Sequence, residues 1–233
     1  MDNYVKDISV KSEKSIVNSV MKNVFALMTL ALAATGAISY IVSNNIQIIK
    51  TIIENQPLFW GLIIGELVLV IVLSAMINKI SFTTALILFA LYSVINGVTL
   101  APLFIVFTAE SIASAFFVTA GTFGAMAIFG YITKFDLSGI GKILIMALFG
   151  LIIASIVNIF LASSQMEMII NYAGVLIFTG LTAYDTQKIK NLVQDNINNE
   201  NIIPKLSVIG SLTLYLDFIN LFIKLLQLMG KRK

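Results

Sequence analysis

The stretch from Leu58 to Ile77, LFWGLIIGELVLVIVLSAMI, decides the class of fold because Glu66 is its one charged residue. A helix needs about 20 mainly apolar residues to cross the hydrocarbon of a bilayer, and this stretch has that length. Backbone polar groups in hydrocarbon are satisfied only within helices or closed barrels. The stretch is too long and too continuously apolar for a barrel strand, so it predicts a membrane-spanning helix.

Other apolar runs of similar length occur along the chain. They are Asn23–Val42, Thr83–Phe104, Ile112–Ile132, Ile140–Leu161, Met168–Ile189 and Pro204–Met229. Of the 233 residues, 58% are hydrophobic and 12% are charged. A soluble domain carries about 25% charged residues. We therefore predict an all-α membrane protein, a bundle of seven transmembrane helices.

The predicted organisation is one transmembrane domain with short polar ends. Residues 1–22 are a polar N-terminal segment, residues 23–230 are the seven-helix domain, and residues 231–233 are a basic tail. The first apolar run starts too late and runs too long for a cleaved signal peptide. Two polar stretches, Ser43–Gln56 and Lys190–Ile203, are expected to be loops, and the second shows no apolar periodicity.

The composition restricts the chemistry of any site. The chain has no Cys and no His. This excludes disulfides, thiolate chemistry, an imidazole base and the commonest zinc ligands. The net charge of +3 and the pI near 9.0 come from basic residues at helix ends, where they anchor helices in the lipid bilayer. We expect no nucleic-acid partner and no cofactor.

The distribution of Lys and Arg between the loops predicts the orientation in the membrane. With the N-terminus inside, the inside segments hold Lys6, Lys11, Lys14, Lys22, Lys79, Lys134, Lys142, Lys188, Lys190 and Lys205. The outside loops then hold Lys50, together with the basic tail, which opposes the rule. We predict the N-terminus inside and the C-terminus outside. A six-span or re-entrant arrangement is the alternative.

Three carboxyls, Glu66, Asp185 and Asp217, lie within the apolar runs. A charge at the bilayer centre costs at least about 2.5–3.5 kcal/mol, so such residues face the bundle interior and often take part in function. The alternative is a carboxyl that only ties helices together by hydrogen bonds.

Asp217 belongs to a polar seam on the last helix. Residues at spacings of three and four share one face of a helix. The seam consists of Gly210, Thr213, Asp217, Asn220 and Lys224. Since a polar face cannot point at acyl chains, we predict that Thr213, Asn220 and Lys224 line a pore or cavity with Glu66. A buried hydrogen-bonded seam is the alternative.

The short link between the sixth and seventh spans makes these helices neighbours, which can bring Asp185 and Asp217 together. Asp185 lies close to its predicted helix end, whereas Asp217 lies far from its own helix start. A contact therefore needs the first turns of the last helix to project or tilt. Two carboxyls in a low dielectric cannot both ionise cheaply, so the pair titrates as a unit and can sense pH. Its oxygens can also bind Ca²⁺ weakly, because a tight site uses about six to eight ligands.

Four short motifs resemble a known family. They are LTAYDTQKIK at 181–190, LYLDFINLF at 214–222, NGVTLAP at 96–102 and GTFGAMA at 121–127. They are similar to motifs of the transmembrane Bax inhibitor motif family, in its bacterial branch of Bax inhibitor-1-like membrane proteins. The resemblance covers roughly residues 20–230.

The resemblance implies a seven-helix bundle in the inner membrane, with the last helix central and a passive Ca²⁺ leak. It implies a pH-sensitive aspartate pair at Asp185 and Asp217, and it matches the family's acidic second-helix residue with Glu66. Family members can carry a basic residue at the inner end of that helix, able to pair with the sixth-helix aspartate. Here Met76 to Asn78 stand there, and Lys79 just beyond is the candidate ion-pair partner.

Three function classes follow from these observations. The first is a pH-sensitive calcium leak channel gated by the aspartate pair. The second is a non-transporting modulator of a membrane protease or a cell-stress pathway, with that protease as partner. The third is an intramembrane aspartyl protease, which Tyr184-Asp185 fits in part, although Leu214 stands where that class has a glycine. We expect a protein that is not an enzyme.

Overall fold

The computed structural model describes residues 2–233, with side chains from Glu13 onward, and its described part is helical throughout. The helices are α1 Asp2–Ser43, α2 Ile46–Glu54, α3 Gln56–Met76, α4 Phe82–Leu100, α5 Leu103–Val106, α6 Ala109–Ile132, α7 Ser138–Leu161, α8 Ser164–Asp195 and α9 Ile203–Met229. Seven segments in this part are long and apolar enough to cross a membrane, with α4 and α5 counting as one. The predicted fold class is confirmed.

Polar caps define where several helices begin. Asn45 Oδ1 accepts hydrogen bonds from Gln47 N and Ile48 N at the start of α2. Ser81 Oγ accepts from Thr84 N at the start of α4. The first backbone N–H groups of a helix have no partner within it, so these caps let each helix start cleanly at its loop.

The helix α2 corrects the prediction that Ser43–Gln56 is a loop. Ile49 and Ile52 are buried and pack with Val42 and Ala101. Isoleucines recur at helical spacing between two Asn caps, and this makes a short amphipathic helix. The polar residues between these isoleucines led to the prediction of a loop, although the isoleucines have helical spacing.

The end of α8 corrects a second boundary. The helix continues six residues beyond the predicted end at Ile189, to Asp195. Ile189 and Val193 are buried, and their spacing of four places them on one face. The segment Lys190–Ile203 therefore does carry apolar periodicity in its first part, and the prediction of a loop over its whole length is wrong.

The start of α1 also differs from the prediction. The helix runs without interruption from Asp2, so residues 2–22 of the predicted polar segment belong to the same helix as the first span. Val17, Val20, Met21 and Val24 are buried at helical spacing before and after the predicted boundary. The side chains of Lys6 and Lys11, which entered the orientation count, lie outside the described residues.

The chain forms two compact units. Unit 1 contains Met1–Ile105 and Ile189–Tyr215, and unit 2 contains Val106–Lys188 and Leu216–Lys233. Both α8 and α9 contribute to each unit. In unit 2, the ring of Phe218 packs edge-on against Phe123 and at a tilt against Phe116, with ring centroids 5.5 Å apart in both cases.

Candidate functional site: a buried aspartate pair

Asp185 on α8 and Asp217 on α9 both belong to unit 2, and their carboxyl groups are close enough to interact with each other. The two residues are 9% and 5% exposed. Asp217 Oδ2 has no hydrogen-bond partner in the described part of the structure. Because an ionised carboxylate has no donor, a hydrogen bond between two carboxyls needs a proton between them. The two aspartates that the sequence analysis paired are thus both buried in unit 2, and the shared proton and the gating role of the pair stay predictions.

The extra turns of α8 remove most of the difference in depth that the sequence predicted between the two aspartates. Asp185 precedes the helix end at Asp195 by ten residues, or about 15 Å at 1.5 Å per residue. Asp217 follows the start of α9 at Ile203 by fourteen residues, or about 21 Å. Both helices therefore have several turns between the pair and the link that joins them. The mismatch expected from the sequence came from ending the sixth helix too early.

Two glycines allow neighbouring helices to approach α8 immediately before Asp185. A Cβ atom at Gly130 of α6 would collide with the backbone carbonyl of Ala183. A Cβ atom at Gly141 of α7 would collide with the ring of Tyr184. Both helices thus lie directly against the residues that precede the aspartate, which fixes its position.

Gln187 fixes the same region of α8 from the other side of the aspartate. Its Oε1 accepts a hydrogen bond from Leu137 N at 2.9 Å, and its Nε2 donates to Phe135 O at 2.8 Å. The link between α6 and α7 is thereby held against α8. The sequence analysis assigned no role to Gln187. An amide inside an apolar helix, two residues after the aspartate, was the available signal.

Lys188 is a charged side chain that acts electrostatically on both carboxyls. It is exposed, and its Nζ lies 5.7 Å from the centroid of the Tyr184 ring. Lys79, the candidate partner from the sequence, lies in unit 1 in the turn after α3, where its N–H donates to Met76 O. An ion pair between Lys79 and Asp185 stays a prediction.

Glu66 belongs to a separate polar cluster inside unit 1. Its Oε1 accepts a hydrogen bond from Thr99 Oγ1 at 2.7 Å, and its Oε2 accepts from Asn96 Nδ2 at 3.3 Å. Asn96 Oδ1 in turn accepts from the hydroxyl of Tyr215 at 2.9 Å, and that hydroxyl lies 2.6 Å from Thr35 Oγ1. This chain of contacts joins α1, α3, α4 and α9. Its role as a pore lining stays a prediction.

The comparisons with known proteins identify the family. A family model described as inhibitor of apoptosis-promoting Bax1 matches residues 17–233. The chain belongs to this family. The inner membrane protein YbhL of Escherichia coli K12 is 46% identical over 234 residues, which make up 100% of both chains. An uncharacterized protein of Borreliella burgdorferi is 44% identical over 226 residues, 96% of each chain. An uncharacterized membrane protein of Streptococcus pyogenes serotype M1 is 36% identical over 217 residues, 92% of this chain and 93% of that one.

The resemblance to the Bax inhibitor family is therefore confirmed, and the chain is a multi-pass membrane protein of that family. The last helix, α9, is the most buried of its seven spans, at 67%. The position of α9 at the centre of the bundle stays a prediction.

Two residues of the polar seam in this Bax inhibitor family protein form side-chain hydrogen bonds within their own helix. Thr213 Oγ1 donates to Ile209 O at 3.0 Å, and Asn220 Nδ2 donates to Leu216 O at 2.8 Å. Both bonds stay within α9, so these polar groups are satisfied without a ligand. Lys224 instead reaches another helix.

The acidic residues set a limit on metal binding. The described residues contain no group of three or more Asp, Glu, His or Cys side chains placed to hold a metal ion. The aspartate pair supplies two carboxyls, whereas tight Ca²⁺ sites use about six to eight oxygen ligands.

The C-terminal tail is fixed to one end of unit 2. Lys231 O accepts from Thr108 N at 3.1 Å, and Lys233 N donates to Val106 O at 2.9 Å. Arg232 pairs with Glu167 near the start of α8, at 3.8 Å. The tail therefore lies at the end where α6 and α8 begin.

Proposed function

We propose that this protein is a calcium leak channel whose opening depends on the protonation of Asp185 and Asp217. The proposal is supported by the burial of both carboxyls and by the interaction between them, which joins the sixth and seventh spans. While the pair holds one proton, the hydrogen bond links α8 to α9. This is the closed state.

Loss of that proton places two negative charges side by side. At an effective dielectric of about 20, unit charges about 4 Å apart repel by roughly 4 kcal/mol. A two-state equilibrium shifts tenfold for every 1.4 kcal/mol, so this repulsion changes the open fraction by roughly two to three orders of magnitude. Lys188 reduces the repulsion, but it lies on the same helix as Asp185 and does not bridge α8 to α9.

The sign of the pH response depends on whether Lys79 pairs with Asp185. With that ion pair, protonation of Asp185 breaks a salt bridge and opens the path at low pH. Without it, the sign is the opposite one. Raising the pH removes the shared proton, separates the helices and leaves a charge that attracts Ca²⁺. Lowering the pH restores the hydrogen bond. The calcium leak should therefore rise with pH and fall as the pH drops through the range in which the pair takes up its proton.

Calcium flux into liposomes, measured against pH, tests the proposal. The wild type should leak more at high pH. A double variant, Asp185→Asn with Asp217→Asn, should leak at a rate that does not change with pH, because neither amide titrates. Asp195→Asn is the matched control, since this carboxyl lies on the same helix but is exposed. A double variant that keeps the wild-type pH profile would refute the gate. A wild type without flux would favour the modulator of a membrane protease or stress pathway.

We further propose that the N-terminus is inside and the C-terminus outside. An odd number of spans puts the two ends of the chain on opposite sides of the membrane. With the N-terminus inside, α6 and α8 start on the outside and α9 ends there. The contacts of the tail with the end at which α6 and α8 begin agree with this arrangement. The natural chain has no Cys, so a single Cys at position 233 reports its own side. Labelling of that Cys from the outside is expected, and labelling from the inside only would refute the orientation.

A further inference from the structure

A second polar site lies in unit 2, between the end of α7, the start of α8 and the end of α9. It is a cavity of about 260 Å³, and the polar side chains that line it are Ser155, Asn158, Glu167, Asn171, Lys224 and Gln227. All six lie within seven residues of a helix end. At 1.5 Å per residue they lie about 3–11 Å from those ends, and we expect the ends of spanning helices near the headgroups.

The Lys224 side chain fits into this cavity because Gly174, which it packs against, has no side chain. A Cβ atom at Gly174 would lie 2.9 Å from Lys224 Cγ and 3.1 Å from its Cδ, so the bare glycine leaves room for the lysine stem. Lys224 Nζ donates to Oδ1 of the buried Asn171 at 3.3 Å. An ammonium has three donors, and this amide accepts from one of them. The nearby Glu167 carboxylate is paired with Arg232.

The cavity is also lined by residues that carry hydrogen-bond acceptors and a negative charge. Gln227 Oε1 is buried and accepts no hydrogen bond from the described residues. A buried acceptor without a donor is costly, so its presence favours a ligand that brings a donor. Glu167 is close enough to Lys224 to interact with it electrostatically. The cavity thus presents a cation on one side, with an acceptor and a carboxylate beside it.

The cavity opens toward the lipid-facing surface of α7. Ile159, which lines it, is 72% exposed, and the neighbouring helix surface is apolar. One water takes up about 30 Å³ in the liquid, so the cavity admits a group of several heavy atoms.

We propose that this cavity binds a zwitterion in which a phosphate and an ammonium are joined by a short arm, as in the headgroup of an ethanolamine phospholipid. The phosphate accepts from Lys224, and the ammonium donates to Gln227 Oε1 and Glu167. A free zwitterion such as O-phosphoethanolamine has the same chemistry. The site does not depend on the calcium leak, and neither proposal fails with the other.

Binding to the purified full-length protein in detergent tests the site. The probes are dihexanoyl-phosphatidylethanolamine, dihexanoyl-phosphatidylglycerol and O-phosphoethanolamine, with dissociation constants from native mass spectrometry or thermophoresis. The ethanolamine lipid should bind saturably, and Lys224→Met should raise its dissociation constant at least about tenfold, as loss of a charge-assisted hydrogen bond does. Lys50→Met, an exposed lysine of α2 in unit 1, should leave binding unchanged.

Ile159→Trp provides a variant that does not disturb the core, because this exposed side chain stands at the mouth of the cavity. It should also weaken binding of the ethanolamine lipid about tenfold or more. Stronger binding of the lipid than of O-phosphoethanolamine would assign the site to membrane lipid, and equal binding would assign it to a soluble zwitterion. The proposal is overturned if the wild type shows no saturable binding, if both variants bind as the wild type does, or if the glycerol lipid binds as tightly.

Discussion

Substitution of Gly130 by Ala tests the close packing that positions the aspartate pair. The added Cβ would meet the backbone carbonyl of Ala183, two residues before Asp185. A backbone atom cannot rotate away as a flexible side chain can, so α6 must move from α8 or α8 must shift. Either movement displaces Asp185 relative to Asp217.

The expected magnitude comes from two opposing effects. Replacing Gly by Ala inside a helix stabilises it by about 0.5–1 kcal/mol. Inserting a methyl group into tight packing costs typically about 1–3 kcal/mol. At Gly130 the second effect dominates, so the variant should lose up to about 2 kcal/mol of stability. Gly121 lies on the same helix, and a Cβ there would meet nothing within 4 Å. Gly121→Ala should therefore gain stability.

Unfolding of the two variants in matched detergent, by heat and by denaturant, measures this difference. Gly121→Ala should melt at or above the wild-type temperature, and Gly130→Ala should melt below it. In liposomes, Gly130→Ala should also flatten the pH dependence of the calcium leak, because the displaced carboxyls no longer share a proton. Equal stability of the two alanine variants would refute the close approach of α6 to α8.

Three further predictions concern other parts of the molecule. Tyr215→Phe keeps the edge-on ring contacts with Phe89 and Tyr92 but removes the hydroxyl that bonds Asn96. It should cost about 1–3 kcal/mol of unfolding free energy in detergent, since a buried acceptor loses its donor. Asp136 lies outside the spans, and the hydrogen bond from Ser138 N holds its pKa below the usual 3.8. Its stabilising contribution is present above about that pH and is lost as the pH falls through the lower folded value, so Asp136→Asn should reduce the fall in melting temperature toward low pH. Arg232→Gln should change stability by less than about 1 kcal/mol, because its ion pair with Glu167 is exposed. Deletion of residues 231–233 should cost more, since it also removes backbone hydrogen bonds, and the two melting curves can be compared directly.

The seven spans and the burial of Asp185 and Asp217 were predictable because both rest on the cost of placing polar groups in hydrocarbon. A run such as Leu58–Ile77 has one physical solution in a membrane, which is a helix. Asp185 and Asp217 are each expensive in such a helix, and contact between them lowers that cost. The sequence therefore indicates the pair without any knowledge of the helix packing.

Helix boundaries near the membrane surface were less predictable because hydropathy no longer decides there. The last turns of α8 contain Lys190 and Asp195 as well as the buried Val193. Likewise α2 mixes Lys50 and Glu54 with buried isoleucines. In both segments an apolar stripe stabilises the helix while its other face meets water or headgroups. A count of apolar residues misses such a stripe, whereas its spacing reveals it.

Specific contacts between helices could not be derived from spacing along the chain. Gln187 holds the link between α6 and α7, and the glycines at 130 and 141 admit neighbouring helices. Each contact joins positions at least about 40 residues apart, and nothing local in the sequence encodes which positions meet. Gln187 lies in the motif at 181–190, but only the packing shows the role of this residue and of the two glycines.

The basic tail shows how a local contact can oppose a general topology rule. Lys and Arg are expected on the inside, whereas the proposed orientation places Lys231, Arg232 and Lys233 outside. Arg232 pairs there with Glu167, and Lys233 interacts electrostatically with Glu110 at the start of α6. Acidic residues at helix starts are favoured by the helix dipole, and the tail supplies their counter-charges. The tail is thus part of the packing of that end of unit 2, and its charges need not report orientation. The lysines in the short loops between helices are the charges that indicate the orientation of the chain in the membrane.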